Sequence, residues 1–289
     1  MATRLGERDR PAPGTAAPGT PVEACDDCFG NGWKVIRDGK GAGTAVRCHC
    51  HGRLRTEARL EGAGIPERYR ACTLANFSTV TADPRHGQLL LRAKTISQRY
   101  VDSFFDTAKN RFRRGGLLFI GEPGVGKTHL AAAVLKDVIQ KYGARGKFVD
   151  FTNLLHEIQS TFDHGSTDTK ASILEPVIQA EILVLDELGA QKPTEWVMDN
   201  LYLIMNSRYT AGRPTIFTTN YRLEGGGPRP KTVEASPSGA LRSPVTVEML
   251  SSRLRAPLVS RLYEMAQPIE LTGPDYRSTV KMHEHQIGG

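Results

Sequence analysis

The stretch that decides the fold is Gly121-Glu-Pro-Gly-Val-Gly-Lys127-Thr128, which fits the pattern G-x-x-x-x-G-K-[ST] at every fixed position. Glycines at positions 121, 124 and 126 let backbone N–H groups converge on a chain of phosphates without interference from side chains. The positive end of a following helix also attracts an anion. The stretch therefore predicts a nucleotide-binding loop, and a purely structural glycine-rich turn is the alternative.

Within this loop, Lys127 is predicted to place a cation on the β- and γ-phosphates, and Thr128 to offer its hydroxyl to Mg²⁺. An apolar run of strand length at residues 117–120 precedes the loop, and apolar residues at helical spacing follow it as far as Gly143. This context predicts a strand, a loop and a helix in succession. The predicted nucleotide contacts are Gly121, Glu122, Pro123, Gly124, Val125, Gly126, Lys127, Thr128 and His129.

The chain after the loop alternates short apolar runs with helical patterns, which is typical of an α/β fold with a parallel sheet. Strands are predicted at residues 147–151, 182–185, 214–219 and 267–271. Helices are predicted at residues 84–109, 154–162, 173–180, 195–211 and 247–266, with Thr194 as a cap and Pro257 inside the last one. The arginines at residues 111–114 are expected to close the first of these helices.

Carboxylates follow the apolar run at residues 182–185. Asp186 is predicted to hold Mg²⁺ together with Thr128, and Glu187 to orient and deprotonate an attacking water. Asn220 ends the next strand, where its amide can bond the same water or the γ-phosphate; a plain turn residue is its alternative. An exposed acidic turn is the alternative for the Asp-Glu pair.

Three arginines, Arg253, Arg255 and Arg261, lie in the predicted last helical region, far along the chain from the loop. An arginine that cannot reach its own phosphates can reach those of a neighbouring subunit and neutralise charge in the transition state. Arg261 is the strongest candidate for this role, and a surface salt bridge is its alternative. The predicted catalytic residues are Lys127, Asp186, Glu187, Asn220 and Arg261.

Four of the five cysteines form the pairs Cys25-Asp-Asp-Cys28 and Cys48-His-Cys50, at a spacing typical of zinc ligands. Four thiolates leave no open coordination position, so a structural zinc ion is predicted. The second pair has an unusual spacing, which makes His49 or His51 an alternative ligand, and reduced thiols without metal remain the other interpretation. Cys72 stands apart and is expected to be a small core residue.

Composition indicates a soluble globular protein. No apolar run approaches the roughly 20 residues that span a bilayer, and the N-terminus lacks the apolar region of a signal peptide, so a cytoplasmic location without membrane contact is expected. The net charge is +7. Residues 1–115 carry 20 Lys/Arg and 12 Asp/Glu, a net of +8, which favours a nucleic-acid or acidic protein partner; a solvated basic face is the alternative.

Three regions are predicted from these patterns. Residues 1–20 form a disordered tail, residues 21–64 a zinc-binding module, and residues 65–289 the nucleotide-binding domain. Residues 223–245, rich in Gly, Pro and Ser, are expected to be a flexible insertion in that domain.

Four segments of the chain resemble motifs of AAA+ ATPases. They are residues 121–128 (Walker A), 182–189 (Walker B), 218–220 (sensor 1) and 259–262 (box VII). More narrowly, the chain resembles the DnaC/DnaI-type helicase loaders and their sister group, the IstB-type transposition helpers. Residues 65–77 and 273–277 resemble the two ends of that ATPase core, whereas the insertion and the cysteine spacing depart from its pattern.

The resemblance implies an AAA+ ATPase that uses ATP and Mg²⁺, assembles as a homo-oligomer on single-stranded DNA and helps to place a replicative helicase hexamer there. It also implies that Arg261 is the arginine finger and that Arg277 takes the sensor 2 role. The zinc module fits a grip on the helicase. The alternatives are an IstB-like transposition helper, a zinc-bearing DNA-binding adaptor that uses nucleotide only as a ligand and, more remotely, a small-molecule kinase.

Overall fold

The structure, a computed structural model, describes residues 25, 27–28, 33–37, 43–48, 50–106, 108–109, 111–162, 168–223 and 249–277. The predicted tail at residues 1–20, His49 and nearly all of the predicted insertion lie outside these described residues. The chain divides into two compact units, residues 1–54 and 55–289. In the described part of the chain, no helix combines the length and the apolar character needed to cross a membrane.

The first unit is built on an antiparallel hairpin of β1 (Trp33–Arg37) and β2 (Gly43–Arg47). Trp33 pairs with Arg47, so the two ends of the hairpin bring the flanking cysteine pairs together. Helix α1 (His51–Gly62) starts directly after the second cysteine pair and continues into the second unit.

The second unit contains the remaining elements in chain order. They are α2 (Glu67–Arg70), α3 (Pro84–Asp102), β3 (Phe105–Asp106), β4 (Arg111–Phe112), β5 (Gly116–Ile120), α4 (Lys127–Tyr142), β6 (Gly146–Asp150), α5 (Phe151–Ser160), α6 (Lys170–Gln179), β7 (Ile182–Asp186), α7 (Glu195–Thr210), β8 (Thr215–Thr219), a 3-10 turn (Leu250–Ser252), α8 (Ala256–Met265) and β9 (Ala266–Glu270).

Five of these strands form a parallel sheet in the order β6-β7-β8-β5-β9. Every residue of β5, β7 and β8 is buried, as expected for parallel strands covered on both faces. Helices α3 and α4 contribute to one apolar layer, and α5 to α8 contribute to the other. The predicted α/β fold with a parallel sheet flanked by helices is therefore confirmed.

The predicted helix at residues 84–109 was wrong beyond Asp102. Its start is correct, because the Asp83 side chain accepts a hydrogen bond from the Arg85 N–H at 2.8 Å. After α3 ends, Phe104 is fully buried against the rings of Tyr100, Phe112 and Tyr142. Burial of this ring turns the chain back, and Phe105 pairs with Phe112 in the β3–β4 hairpin. Arg111 therefore belongs to a strand and does not close the helix.

Three boundaries also differ from prediction. Phe151 starts α5 instead of ending β6, because Asp150 caps that helix by accepting from the Asn153 N–H at 3.0 Å. Phe162 lies beyond α5 and is 66% exposed, so it isn't part of the buried helix face. In the described part of the last helical region, the 3-10 turn and α8 replace one continuous helix, with Pro257 in the first turn of α8.

A buried arginine that the sequence analysis missed fastens two helices to the sheet. The Arg208 guanidinium, fully buried near the end of α7, donates to the backbone carbonyls of Val177, Ile178, Ala180 and Pro214 and to the Thr215 hydroxyl. Burial lowers the pKa of Arg208 to about 9, which leaves the side chain charged at neutral pH. Its five bonds join the end of α6 to the start of β8.

Candidate functional site

The nucleotide-binding loop connects the end of β5 to the start of α4 at the carboxyl edge of the sheet. Gly124 (φ 82°) and Gly126 (φ 95°) adopt left-handed backbone conformations that favour glycine. A Cβ atom on Gly124 would lie 1.9 Å from Oδ1 of Asp275, and one on Gly126 would lie 2.6 Å from the Phe77 ring. Both conformation and space therefore require glycine at these positions.

Lys127 is the first residue of α4, and only 7% of its surface is exposed. Its ammonium group donates to the backbone carbonyl of Glu122 at 2.8 Å. Burial lowers the pKa of Lys127 to about 8, while the nearby Asp186 opposes that shift. A phosphate oxygen in the loop would offer this ammonium group a charged acceptor in place of a neutral carbonyl.

Asp186 is the last residue of β7 and is buried. Its Oδ1 accepts hydrogen bonds from the hydroxyls of Thr128, at 3.0 Å, and of Thr218 on β8, at 2.6 Å. Burial raises the pKa of Asp186, and the two hydroxyls oppose that rise. The two predicted magnesium ligands therefore touch each other and offer the oxygen donors that Mg²⁺ prefers, so these residues fit the ion. Their role as ligands stays a prediction.

Glu187 has a φ of 60°, and it is the one residue other than glycine with a positive φ among the described residues. Its backbone N–H donates to the Thr218 hydroxyl at 3.0 Å, and the next N–H, of Leu188, donates to the Thr218 carbonyl at 2.8 Å. These bonds hold a conformation that costs on the order of 1 kcal/mol. They place the Glu187 side chain in an exposed position directly beside the buried Asp186.

Asn220 follows the last residue of β8 and is exposed at the same edge of the sheet. Strand β8 pairs directly with β5, which leads into the nucleotide-binding loop, so Asn220 and that loop follow neighbouring strands. The hydroxyl of Thr219 donates to the Leu188 carbonyl at 2.8 Å and fastens the end of β8 to the Glu187 turn. The catalytic role of Asn220 stays a prediction.

A segment before the sheet packs on the nucleotide-binding loop. The His129 ring bonds the Thr73 carbonyl at 2.9 Å and meets the Phe77 ring edge-on at 5.3 Å. Burial lowers the pKa of His129. The Lys94 and Lys136 ammonium groups hold this segment by donating to the carbonyls of Phe77 and Cys72. Sequence analysis found His129 but missed Phe77 and both lysines, which lie outside the loop motif.

The chain returns to the loop after β9. The Tyr276 N–H donates to the Gly124 carbonyl at 3.2 Å, and the Arg277 N–H donates to Oδ1 of Asp275 at 2.9 Å. The positive charge of Arg277 helps to lower the pKa of Lys127, which is consistent with a guanidinium on the loop side. Arg277 was predicted to contact nucleotide; Asp275 was missed, although it lies in the recognised segment at residues 273–277.

The other predicted arginines lie in different surroundings. Arg255 lies 3.4 Å from the Asp199 carboxylate, an exposed ion pair, and Arg253 lies over the Tyr221 ring at 4.8 Å. The Arg261 guanidinium lies on α8 against two tyrosine rings of α7, 5.2 Å from each centroid. Its described contacts do not include the loop of its own chain, and its role as an arginine finger stays a prediction.

In the first unit, the four cysteines of the two pairs converge. Sγ of Cys25 lies 3.6 Å from Sγ of Cys48, Sγ of Cys28 lies 3.2 Å from Sγ of Cys50, and all four sulfurs lie within 4.8 Å of one another. Tetrahedral zinc with bonds of about 2.3 Å to sulfur places the sulfurs about 3.8 Å apart. The neighbouring Cys28 thiol raises the pKa of Cys50, and a bound zinc ion would favour the thiolate form of these cysteines. These residues fit a closed structural zinc site.

Of the two histidines considered as alternative zinc ligands, His51 is described by the structure, and its position does not support that role. The His51 ring packs edge-on against Trp33, with ring centroids 5.0 Å apart, and the group of potential ligands consists of the four cysteines alone among the described residues. His49 lies outside the described residues. Cys72 is buried in the second unit, apart from the cluster.

Comparison with known proteins identifies the family. The family model for IstB-like ATP binding proteins matches residues 86–226. A crystal structure of the DnaC helicase loader is 30% identical, with a TM-score of 0.54, over 71% of this chain and 99% of that one. The chain belongs to the DnaC/IstB-type family of AAA+ ATP-binding proteins.

Curated relatives of this DnaC/IstB-type chain agree with that assignment. The replicative helicase loader DnaC of Escherichia coli K12 is 23% identical over 59% of this chain and 64% of the relative, and the uncharacterized protein YdaV of the same strain is 28% identical over 59% and 63%. The match thus spans less than two thirds of either relative. The structure of DnaI, 23% identical with a TM-score of 0.51, covers 75% of this chain and supports the fold alone.

The family match begins at residue 86 and does not include the cysteine cluster. That cluster generates a prediction for the purified protein, which should contain about one zinc ion per chain. Replacing one ligand by Cys28→Ser should remove most of the zinc, because three thiolates and a hydroxyl bind the ion far less tightly. Mass spectrometry of metal content measures both quantities.

Cys72→Ser is the matched control, since it removes a buried thiol outside the cluster. It should leave the zinc content unchanged. Purified wild-type protein without zinc, or zinc that survives Cys28→Ser undiminished, would show that the cluster is not a zinc site.

Proposed function

We propose that this chain hydrolyses ATP and uses the reaction to place a replicative helicase hexamer on single-stranded DNA. The observation that carries the enzymatic part is the contact between Thr128 and the buried Asp186, with the exposed Glu187 beside them. Membership of an ATP-binding AAA+ family supports ATP as the nucleotide. The presence of the helicase loader DnaC among the relatives supports a role in helicase loading.

The proposed reaction assigns a role to each residue. The loop backbone and Lys127 bind the β- and γ-phosphates of ATP. Thr128 and Asp186 would hold a Mg²⁺ ion. When bound, Mg²⁺ would neutralise charge on the phosphate oxygens. Glu187, oriented with Asn220 toward the γ-phosphate, takes a proton from water as the water oxygen bonds to the γ-phosphorus. The bond from that phosphorus to the bridging oxygen breaks, which yields ADP and inorganic phosphate.

The exposed Glu187 generates a test of hydrolysis. We expect Glu187→Gln to retain ATP binding, because Asp186, Thr128 and Lys127 are unchanged, and to lower the turnover rate by about 100-fold or more. Binding is measured with a fluorescent ATP analogue, and turnover by phosphate release. Glu195→Gln, the same change at an exposed position on α7, should keep the wild-type rate.

Equal, near-zero rates in the wild type and in Glu187→Gln would contradict hydrolysis. That result would favour the adaptor interpretation, in which nucleotide is only a conformational ligand.

The β3–β4 hairpin supports the proposed contact with nucleic acid. Arg111, Arg113 and Arg114 are exposed and help to line a cavity of about 290 Å³. Arg113 is held in place by a 2.8 Å bond to the Ser103 hydroxyl and by the Tyr100 ring. In the described part of the chain, none of these three arginines pairs with a carboxylate. Three such neighbouring guanidinium groups, none paired with a carboxylate among the described residues, favour a polyanion such as the phosphate backbone of single-stranded DNA.

This surface generates a salt-dependent prediction. The combined change Arg111→Gln, Arg113→Gln and Arg114→Gln should weaken binding of a dT oligonucleotide by about tenfold or more. It should also reduce the slope of log affinity against log salt concentration by about 2, since three phosphate contacts are lost. Fluorescence anisotropy with ATP present measures both.

A matched variant removes the same charge from exposed positions elsewhere, by Arg68→Gln, Arg85→Gln and Arg92→Gln. If the two triple variants bind DNA equally well, net charge governs binding and the hairpin is not the contact surface.

The cysteine module at residues 21–64 is proposed as the part that grips the helicase, and residues 65–289 as the ATPase domain. Support comes from the clustered cysteines, which lie before the family match begins. The IstB-like alternative, recruitment of a transposase, is favoured by the name of the matching family model. A transposase gene next to the gene for this chain would support that alternative.

A further inference from the structure

The Arg261 guanidinium lies between two tyrosine rings of the neighbouring helix. Tyr202 and Tyr209 are two helical turns apart on α7, so their rings share one face of that helix. The central carbon of the guanidinium is 5.2 Å from each ring centroid, within the range of cation–π attraction. Both rings are partly exposed, at 45% and 38%. We name this pair of rings, Tyr202 and Tyr209, the tyrosine clamp.

The acidic neighbour of Arg261 is occupied elsewhere. Glu264 follows Arg261 by three positions on α8, a spacing at which the two side chains commonly form an ion pair. Instead, the hydroxyl of Tyr209 donates to Oε1 of Glu264 at 2.6 Å. This bond raises the pKa of Tyr209. Tyr209 thus engages the Glu264 carboxylate, and the described contacts contain no ion pair between Glu264 and Arg261.

Arg261 consequently has unused hydrogen-bond donors. Within the described ranges it makes no hydrogen bond or ion pair, and its Nη1 is enclosed without an acceptor. Such an enclosed donor is rare in folded proteins and calls for a physical explanation. Aromatic faces attract the positive charge without occupying the N–H groups as hydrogen-bond acceptors do. Nη1 is enclosed but Arg261 as a whole is only partly buried, so its other N–H groups are left for the oxygens of a phosphate group.

We infer that Tyr202 and Tyr209 are positioning residues that hold Arg261 free of ion pairs, ready for a phosphate oxygen bound in the loop of a second copy of this chain. The inference rests on the proposed hydrolysis of ATP and on the sequence-based prediction that Arg261 acts as an arginine finger across a subunit interface. It adds how the Arg261 side chain is held in position. The rings of Tyr202 and Tyr209 fix the direction of the guanidinium, and the Tyr209 hydroxyl binds Glu264, which could otherwise form an ion pair with Arg261.

The test separates the subunit that receives the arginine from the subunit that supplies it. The acceptor carries Arg261→Ala and keeps its nucleotide-binding loop. The donor carries Lys127→Ala, which disables its own loop, and keeps Arg261. Neither hydrolyses ATP alone in this scheme, so phosphate release by an equimolar mixture reports an arginine supplied by the donor to the acceptor.

Changes to the clamp are then made in the donor only, where they cannot affect the chemistry of its own disabled site. Tyr202→Leu removes one ring face and should lower the rate of the mixture by about tenfold. Tyr202→Phe keeps the ring and should keep the rate within about twofold of the unmodified donor. Tyr263→Leu, equally exposed and on the same helix as Arg261, is the matched control and should leave the rate unchanged.

The hydroxyl of Tyr209 generates a second arm. Tyr209→Phe keeps the ring but releases Glu264, which should capture Arg261 and lower the rate. Adding Glu264→Gln to that donor should restore the rate, because the competing charge is gone. A merely structural role for Tyr209 predicts no such rescue. Thermal unfolding of each donor shows whether it is folded, and the Phe and Gln variants preserve side-chain volume if the Leu variant unfolds.

Two results would overturn the inference in distinguishable ways. If the unmodified donor restores hydrolysis and the Tyr202→Leu and Tyr209→Phe donors restore it equally well, the clamp is not a positioning device, while the arginine still acts between subunits. If the unmodified donor restores nothing, Arg261 does not act between subunits, and both the clamp and the predicted arginine-finger role fail, whereas the proposed hydrolysis is judged separately by Glu187→Gln.

Discussion

One carboxylate oxygen, Oδ1 of Asp186, joins the three elements that build the nucleotide site. It accepts from Thr128 on α4 and from Thr218 on β8, and the backbone of Asp186 belongs to β7. This arrangement depends on the strand order, in which β8 lies between β7 and β5 and so brings Thr218 between the carboxylate and the nucleotide-binding loop. Thr218 then fixes the Glu187 turn through its hydroxyl and its carbonyl. A different strand order would separate Thr128, Asp186 and Thr218, although every sequence motif would be unchanged.

The sheet also connects the two surfaces on which the proposed function depends. Strand β5 begins two residues after Arg114, which follows the β3–β4 hairpin, and ends at Ile120, directly before the first glycine of the nucleotide-binding loop. All five of its residues are buried and pair with β9, and four of them, Leu117 to Ile120, also pair with β8. A buried strand of five residues therefore joins the proposed nucleic-acid surface to the nucleotide-binding loop. The chain after β9 returns to that loop through Tyr276, and the segment before the sheet contacts His129 through Thr73, so two segments distant in sequence pack at the loop.

Local patterns predicted the parts of the fold that local chemistry determines. The apolar runs before Gly121 and Asp186 became the buried strands β5 and β7, and Thr194 caps α7 as its hydroxyl predicts. The cysteine spacing predicted the cluster, since hairpin pairing brings the two pairs together. The sequence analysis did not predict the β3–β4 hairpin, because burial of Phe104 is a tertiary effect that overrides the helical pattern.

Other features of the site depend on contacts between distant segments, and sequence alone offered no signal for them. In the sequence, Arg208 does not differ from any other arginine in a helical pattern. Its burial depends on backbone carbonyls of residues about 30 positions away, including Val177 and Ala180. The positive φ of Glu187 follows from bonds to Thr218, 31 residues away. Likewise, the motif at residues 259–262 singled out Arg261 as a candidate, but it contains no signal for Tyr202 and Tyr209, which lie on another helix.

The most direct test of the loader account is co-elution of the full chain with the replicative helicase of its own organism, with and without ATP. The account predicts a complex whose yield changes with ATP and is lost in the Cys28→Ser variant, in which the zinc module is disrupted. If no complex forms in either nucleotide state while the protein still hydrolyses ATP on DNA, the chain is not a helicase loader, and a transposition helper is the better explanation.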